Sequence, residues 1–205
     1  MGLARTNSPL GKLIIRQIGD VGGPRSDLVD AELDNIIAWA KVSPRNIKRD
    51  TSTVGNVGGG LDTLHTFSLP ANSLQADGDY LKVRYGGKFA SNANTKRIVA
   101  SFGGTAVSSL GTGLFDIRSG DWVYDLYIIR LSSTSVRVSG QIMWTFIARD
   151  GAGTMTGNGF YGSINTDITG LSALGSNATT MKVEAEGTAN DDIQQNFTVI
   201  ELTQQ

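Results

Sequence analysis

In Ser135-Val136-Arg137-Val138-Ser139-Gly140-Gln141-Ile142-Met143-Trp144-Thr145-Phe146, the side chains Val136, Val138, Ile142, Trp144 and Phe146 fall on one side of an extended chain. Arg137, Ser139, Gln141 and Thr145 fall on the other. A period of two is the signature of a strand with one buried and one wet face, because successive Cβ atoms point to opposite sides of a pleat. The same alternation recurs upstream, where Leu81, Val83 and Tyr85 oppose Lys82 and Arg84, and downstream, where Met181, Val183 and Ala185 oppose Lys182, Glu184 and Glu186. Trp122–Leu131 is apolar on both faces, as expected of a central or interface strand.

Leu64–Leu69, Ile98–Phe102, Thr105–Ser109 and Phe197–Leu202 are further strand candidates. Turn pairs punctuate them: Asp77-Gly78, Gly86-Gly87, Gly103-Gly104, Ser119-Gly120-Asp121 and Asp150-Gly151. Many short strands at near-regular spacing indicate a mainly β chain, an antiparallel β-sandwich, with a jelly-roll-like arrangement as the best single match.

Upstream the pattern changes. After Asp20-Val21-Gly22-Gly23-Pro24, a helix is expected over about residues 26–42. Ser26 or Asp27 is placed to cap it, and Asp27, Asp30, Glu32 and Asp34 complement its positive end. Val29, Leu33, Ile36, Ile37 and Ala40 recur at helical spacing, and Pro44 ends the run. The stripe Val29, Leu33, Ile36, Ala40 fits either packing on its own domain or the seam of a short coiled coil. Leu13-Ile14-Ile15 and Ile18 suit a short strand. Residues 46–60 read as a linker, rich in glycine over 51–60. The chain therefore divides into an amino-terminal region (1–50), a linker (51–60) and a β-sandwich (61–205).

Composition narrows the chemistry. The 205 residues, about one and a half ordinary domains, are 40% hydrophobic and 18% charged, with a formal net charge of -1. That balance excludes a highly charged disordered chain and argues against a basic nucleic-acid binder. With no cysteine and one histidine, disulfides, thiolate metal sites and multi-histidine zinc sites are out. No apolar run reaches the length of a signal peptide or a membrane span, so the chain reads as soluble and made in a reducing cytoplasm.

The motif search points the same way. Gly55-Asn56-Val57-Gly58-Gly59-Gly60 lacks the Lys-Ser/Thr pair of a phosphate loop, and Gly151–Gly157 misses the dinucleotide fingerprint. The pairs Asp77/Asp79 and Asp191/Asp192 fit turn chemistry better than a calcium loop, and no cofactor or metal site is expected. Asp116, Asp121 and Asp125 sit on strand ends but have no spacing that defines a glycosidase pair. His65 has no nucleophile partner and reads as structural or surface. Trp122, Tyr124, Tyr127 and Trp144 alternate as packing residues rather than as sugar-stacking platforms. Phe160 and Tyr161, in the Gly/Thr/Asn-rich stretch 151–175, are expected in a long loop, the preferred place for receptor or partner contact.

Several segments carry a resemblance. Thr51–Leu64, Ser68–Leu74, Asp77–Leu81, Phe89-Ala90-Ser91-Asn92-Ala93-Asn94-Thr95-Lys96 and Ala185-Glu186-Gly187-Thr188-Ala189-Asn190-Asp191-Asp192-Ile193 together resemble a jelly-roll-like module of tailed-bacteriophage virion structural proteins. They span most of residues 52–205. Ser26–Ile37 resembles the short helical segment near the start of phage fibre subunits. The resemblance implies a non-enzymatic homotrimer in the virion, made in the host bacterial cytoplasm. It would be a short tail or head fibre with its amino end docked on other virion proteins and its β head facing outward, open to a host-surface glycan or protein. Charge balance and the short apolar runs, for their part, point to no nucleic-acid partner and no membrane insertion. In such a trimer Val29, Leu33, Ile36 and Ala40, together with Tyr127 and Ile129 on the second face of 122–131, would meet neighbouring subunits. A capsid decoration protein, or a carbohydrate-binding or polysaccharide-degrading module, are the alternatives.

Overall fold

The computed structural model describes residues 35–36, 43–111, 120–150 and 153–205. Eleven strands run through them: β1 (Arg45–Asp50), β2 (Val54–Gly55), β3 (Leu61–Leu69), β4 (Tyr80–Phe89), β5 (Arg97–Phe102), β6 (Thr105–Gly111), β7 (Gly120–Ser132), β8 (Ser135–Asp150), β9 (Gly153–Ile168), β10 (Thr179–Glu186) and β11 (Ile193–Thr203). The larger sheet has the order β1-β11-β4-β7-β8-β9, with β2 also on β11, and the smaller has the order β3-β10-β5-β6. All the pairings are antiparallel.

The connections identify the sandwich type. From β2 the chain crosses to the smaller sheet for β3, returns for β4, and crosses again for β5 and its hairpin partner β6. It returns for β7, and after β8 and β9 crosses for β10 and comes back for β11. Without β8 and β9 this is the double Greek key of a jelly roll. Those two strands widen the larger sheet on the far side of β7.

The core lies between the sheets and follows the alternation. Leu81, Val83 and Tyr85 of β4, Trp122, Tyr124, Leu126 and Ile128 of β7, and Val136, Val138 and Ile142 of β8 point inward. Met181, Val183 and Ala185 of β10 and Ile98, Ala100 and Phe102 of β5 meet them from the smaller sheet. Each large side chain so buried contributes roughly 1.5–3 kcal/mol. Two buried aromatics also satisfy their polar tips. Trp122 Nε1 donates to the Gln194 carbonyl at 3.2 Å and Tyr124 Oη to the Ile98 carbonyl at 3.3 Å.

Three expectations are corrected. Residues 46–60 are not a free linker: β1 and β2 both pair with β11, and the compact sandwich unit starts at Arg45. Arg45, Lys48 and Arg49 obscure this strand because it lies at a sheet edge, where charge guards against further pairing. Gly86-Gly87 is not a turn but lies inside β4. A Cβ on Gly86 would come within 2.4 Å of the Phe197 ring, so the glycine admits that ring onto the strand. Residues 153–168, expected as part of a long loop, form β9, held by its pairing with β8 despite poor strand propensity.

Residues 1–44, with Gln205, form a separate unit. Asn35 and Ile36 are helical, and the rest of the expected helix lies outside the described residues, as do the stripe residues Val29, Leu33 and Ala40 and the short strand expected after Gly11.

Candidate functional site

The outward face of the larger sheet carries Tyr127 and Ile129, two of the six interface residues suggested by the sequence. Directly opposed residues share a face, so the register sets Tyr80, Ile129 and Arg137 in one row, and Lys82, Tyr127 and Ser139 in the next. Tyr127 is 40% exposed and Leu131 38%, while their neighbours Trp122, Tyr124, Leu126 and Ile128 are fully inside. The Tyr80 and Tyr127 rings lean on each other at 6.1 Å. Polar residues frame this patch: Arg84 pairs with Asp125, and Arg137 grips Asp167 through Nε at 2.8 Å and Nη2 at 2.9 Å. The Asp167 contact raises the Arg137 pKa, and Arg137 in turn lowers that of Asp167. Strand β7 is thus apolar on two sides, one in the core and one toward solvent.

A second feature is a buried polar knot at one end of the sandwich. It joins the β2–β3, β4–β5 and β10–β11 connections. The Asp192 carboxylate, fully buried, accepts from Thr188 N at 2.8 Å, Ala189 N at 2.7 Å, Asn94 Nδ2 at 3.0 Å and Asn92 Nδ2. Burial pushes its pKa up, but these hydrogen bonds outweigh burial and hold it below the usual carboxylate value. Lys96, also fully buried, donates to Asn92 Oδ1 at 2.7 Å and to the Asn92 and Asn94 carbonyls at 3.2 Å. Asn56 donates to the Ala189 and Gly58 carbonyls and accepts from Ile193 N at 2.9 Å.

These residues occur in three of the segments that carry the sequence resemblance. Folding brings together what the chain separates by more than a hundred residues. Composition and spacing assign them no role, because charged residues among Asn, Gly and Thr read as wet loop.

Other candidates resolve individually. Asp79 accepts from Gln75 N at 2.8 Å and Ala76 N at 2.9 Å, and Asp77 pairs with Arg130 at 3.2 Å. The Asp79 arrangement repeats that of Asp192, with Gly78 and Asp191 as the preceding residues at φ 95° and 60°. Both acidic pairs serve turns. Asp125 is committed to Arg84, and Asp116 lies outside the described residues. Among the described residues, no three His, Asp or Glu side chains group as metal ligands. Phe160 and Tyr161 stand in β9 opposite Trp144 and Met143, on a paired strand rather than a loop.

His65 is buried against the Tyr85 ring, 5.9 Å between centroids, with Asp50 Oδ2 3.9 Å from Nε2. Neither ring nitrogen has a hydrogen-bond partner. Burial, helped by Lys48 and opposed by Asp50, lowers its pKa.

The outer face of the smaller sheet holds a groove of about 590 Å³, walled by Leu61, Leu171 and the Gly103-Gly104 turn, and floored by β5 and β10.

No family model matches the chain, and no curated sequence matches it significantly. Solved structures with some likeness include the CBM2 module of the evolved Dit of Lactobacillus casei BL23 phage J-1, at TM-score 0.29 and 9% identity, covering 78% of this chain and 96% of that one. Infectious bursal disease virus, Gx strain, has TM-score 0.27 and 17% identity, covering 78% and 42%. The VP2 subviral particle of that virus has TM-score 0.21 and 15% identity, covering 78% and 40%. At these scores the functional reading rests on the chain's own residues.

Proposed function

We propose that this chain is a non-enzymatic structural component of a tailed-phage virion, assembling as a homotrimeric short appendage. Its amino-terminal region docks on the particle, and its jelly roll is displayed outward. The observation that carries this reading is the division of β7. One side fills the core with Trp122, Tyr124, Leu126 and Ile128, and the other presents Tyr127, Ile129 and Leu131 beside Tyr80. Aromatic and aliphatic side chains fixed on a rigid sheet are what an interface core uses, with charged pairs such as Arg84–Asp125 and Arg137–Asp167 at its rim. Three copies around a threefold axis, each meeting its neighbour through a heterologous contact, would cover this patch on every protomer.

The buried knot supports the same reading. Asp192, Lys96 and Asn56 tie three connections into a rigid end, which suits a head built to persist rather than to open and close.

Purified virions from an infected culture test the proposal. Quantitative mass spectrometry should find the chain incorporated, in a few trimers per particle. Copy numbers in the hundreds, following the capsid lattice, would instead assign a decoration role. A chain found only free in the lysate would overturn both.

A further inference from the structure

We infer that the groove on the smaller sheet is a binding site for an uncharged oligosaccharide. The inference stands on the groove's own geometry, separately from virion assembly. Its size lies within the range of small-molecule sites, about 300–1,000 Å³.

The lining is preformed. Leu171 N and Leu174 N donate to the carbonyls of Thr134 at 3.0 Å and Ser133 at 2.8 Å, fixing the loop that forms one wall. Gly103 N donates to the Thr180 carbonyl at 2.9 Å, fixing the opposite turn. No atom stands within 4 Å of where a Cβ on Gly104 would lie, so the approach is open there.

The chemistry of the floor selects the ligand. β10 is paired on both sides, by β3 and β5, and β5 by β10 and β6. The floor therefore offers side chains and no free backbone ladder, which excludes an added β-strand. Each cation there has an acidic neighbour: Arg97 pairs with Glu186 at 3.4 Å and Lys182 with Glu184 at 3.7 Å. The two cations are matched by Glu184 in the lining and by Glu186 beside it, which leaves no net attraction to a polyanion or an acidic membrane. What remains is a row of donors and acceptors, with Ser101, Thr180, Lys182 and Glu184 beside the apolar surfaces of Leu61 and Val99. Hydroxyl groups and the C–H faces of neutral sugars meet both requirements.

The test uses the full chain on an array of neutral and acidic glycans, with hits followed by saturation-transfer NMR. A neutral glycan is expected to bind. Glu184→Ala should weaken it about tenfold by deleting a charged hydrogen-bond partner. Thr180→Trp should block it by filling the groove. Lys88→Ala, exposed on the opposite sheet and away from Tyr127, should leave it unchanged, and circular dichroism should show each variant folded. Binding to acidic glycans alone, no neutral glycan bound at about 1 mM, or binding indifferent to Thr180→Trp in a folded protein would each overturn the assignment.

Discussion

Replacing Asp192 by alanine removes the acceptor at the centre of the loop knot. Four N–H groups lose their partner: the backbone amides of Thr188 and Ala189 and the side-chain amides of Asn92 and Asn94. The two asparagine amides are only part-buried and can turn toward water. The two backbone amides are fixed by the turn that Asp191 closes. Hydrogen bonds to a charged acceptor contribute about 1.5–3 kcal/mol each, so losing the two fixed ones costs about 3–6 kcal/mol. That is a large share of the ~5–15 kcal/mol that holds a domain together. For a unit of this size it corresponds to a fall in Tm of roughly 6–24 °C. Thermal unfolding followed by far-ultraviolet circular dichroism of the β-sheet signal measures it directly. A fall of less than about 2 °C would refute the claim that this carboxylate organises the three connections.

The same geometry yields a stabilising change: Asp191 sits at φ 60°, where its counterpart in the Asp79 turn is Gly78. Asp191→Gly should therefore raise stability by about 0.5–1 kcal/mol in urea unfolding, and a loss would contradict the strain argument. His65 has a lowered folded-state pKa, so the unfolded chain takes up its proton first. Its contribution is intact above the ordinary histidine value of 6.5 and is lost as pH falls from there toward the folded pKa. His65→Phe should flatten the stability profile over that window, and an unchanged slope would reject the assignment. Asp192 acts lower, its contribution present above pH 3.8 and lost as pH falls through its depressed pKa, so Asp192→Ala should also shrink the acid limb below that point. Leu126→Ala should cost about 2–5 kcal/mol by opening a cavity in the core, whereas Leu131→Ala should leave protomer stability within about 0.5 kcal/mol.

The sandwich was legible wherever one strand face is wet, because alternation survives in Leu81–Tyr85, Val136–Ile142 and Met181–Ala185. The two apolar faces of 122–131 were legible too, and the structure puts Tyr127 and Ile129 outside. Strand character failed to show where tertiary pairing supplies it: β1 through charged edge residues, β9 through glycine and threonine. Gly86-Gly87 misled because a glycine pair that admits the Phe197 ring looks, in one dimension, like a turn. The Asp192 and Lys96 knot was hidden for a related reason. Asp192 and Lys96 meet through Asn92 and Asn94, which lie beside Lys96 but about a hundred positions from Asp192, and no local pattern encodes that meeting.

Native mass spectrometry of the intact chain at micromolar concentration, alongside Tyr127→Asp, tests the central claim, that sister copies cover the outer face of β7. The native protein should register at three times the 21.7 kDa protomer mass, and the variant should fall to single protomers that still fold. A native chain found only as lone protomers, or a variant that still assembles in threes, would contradict it.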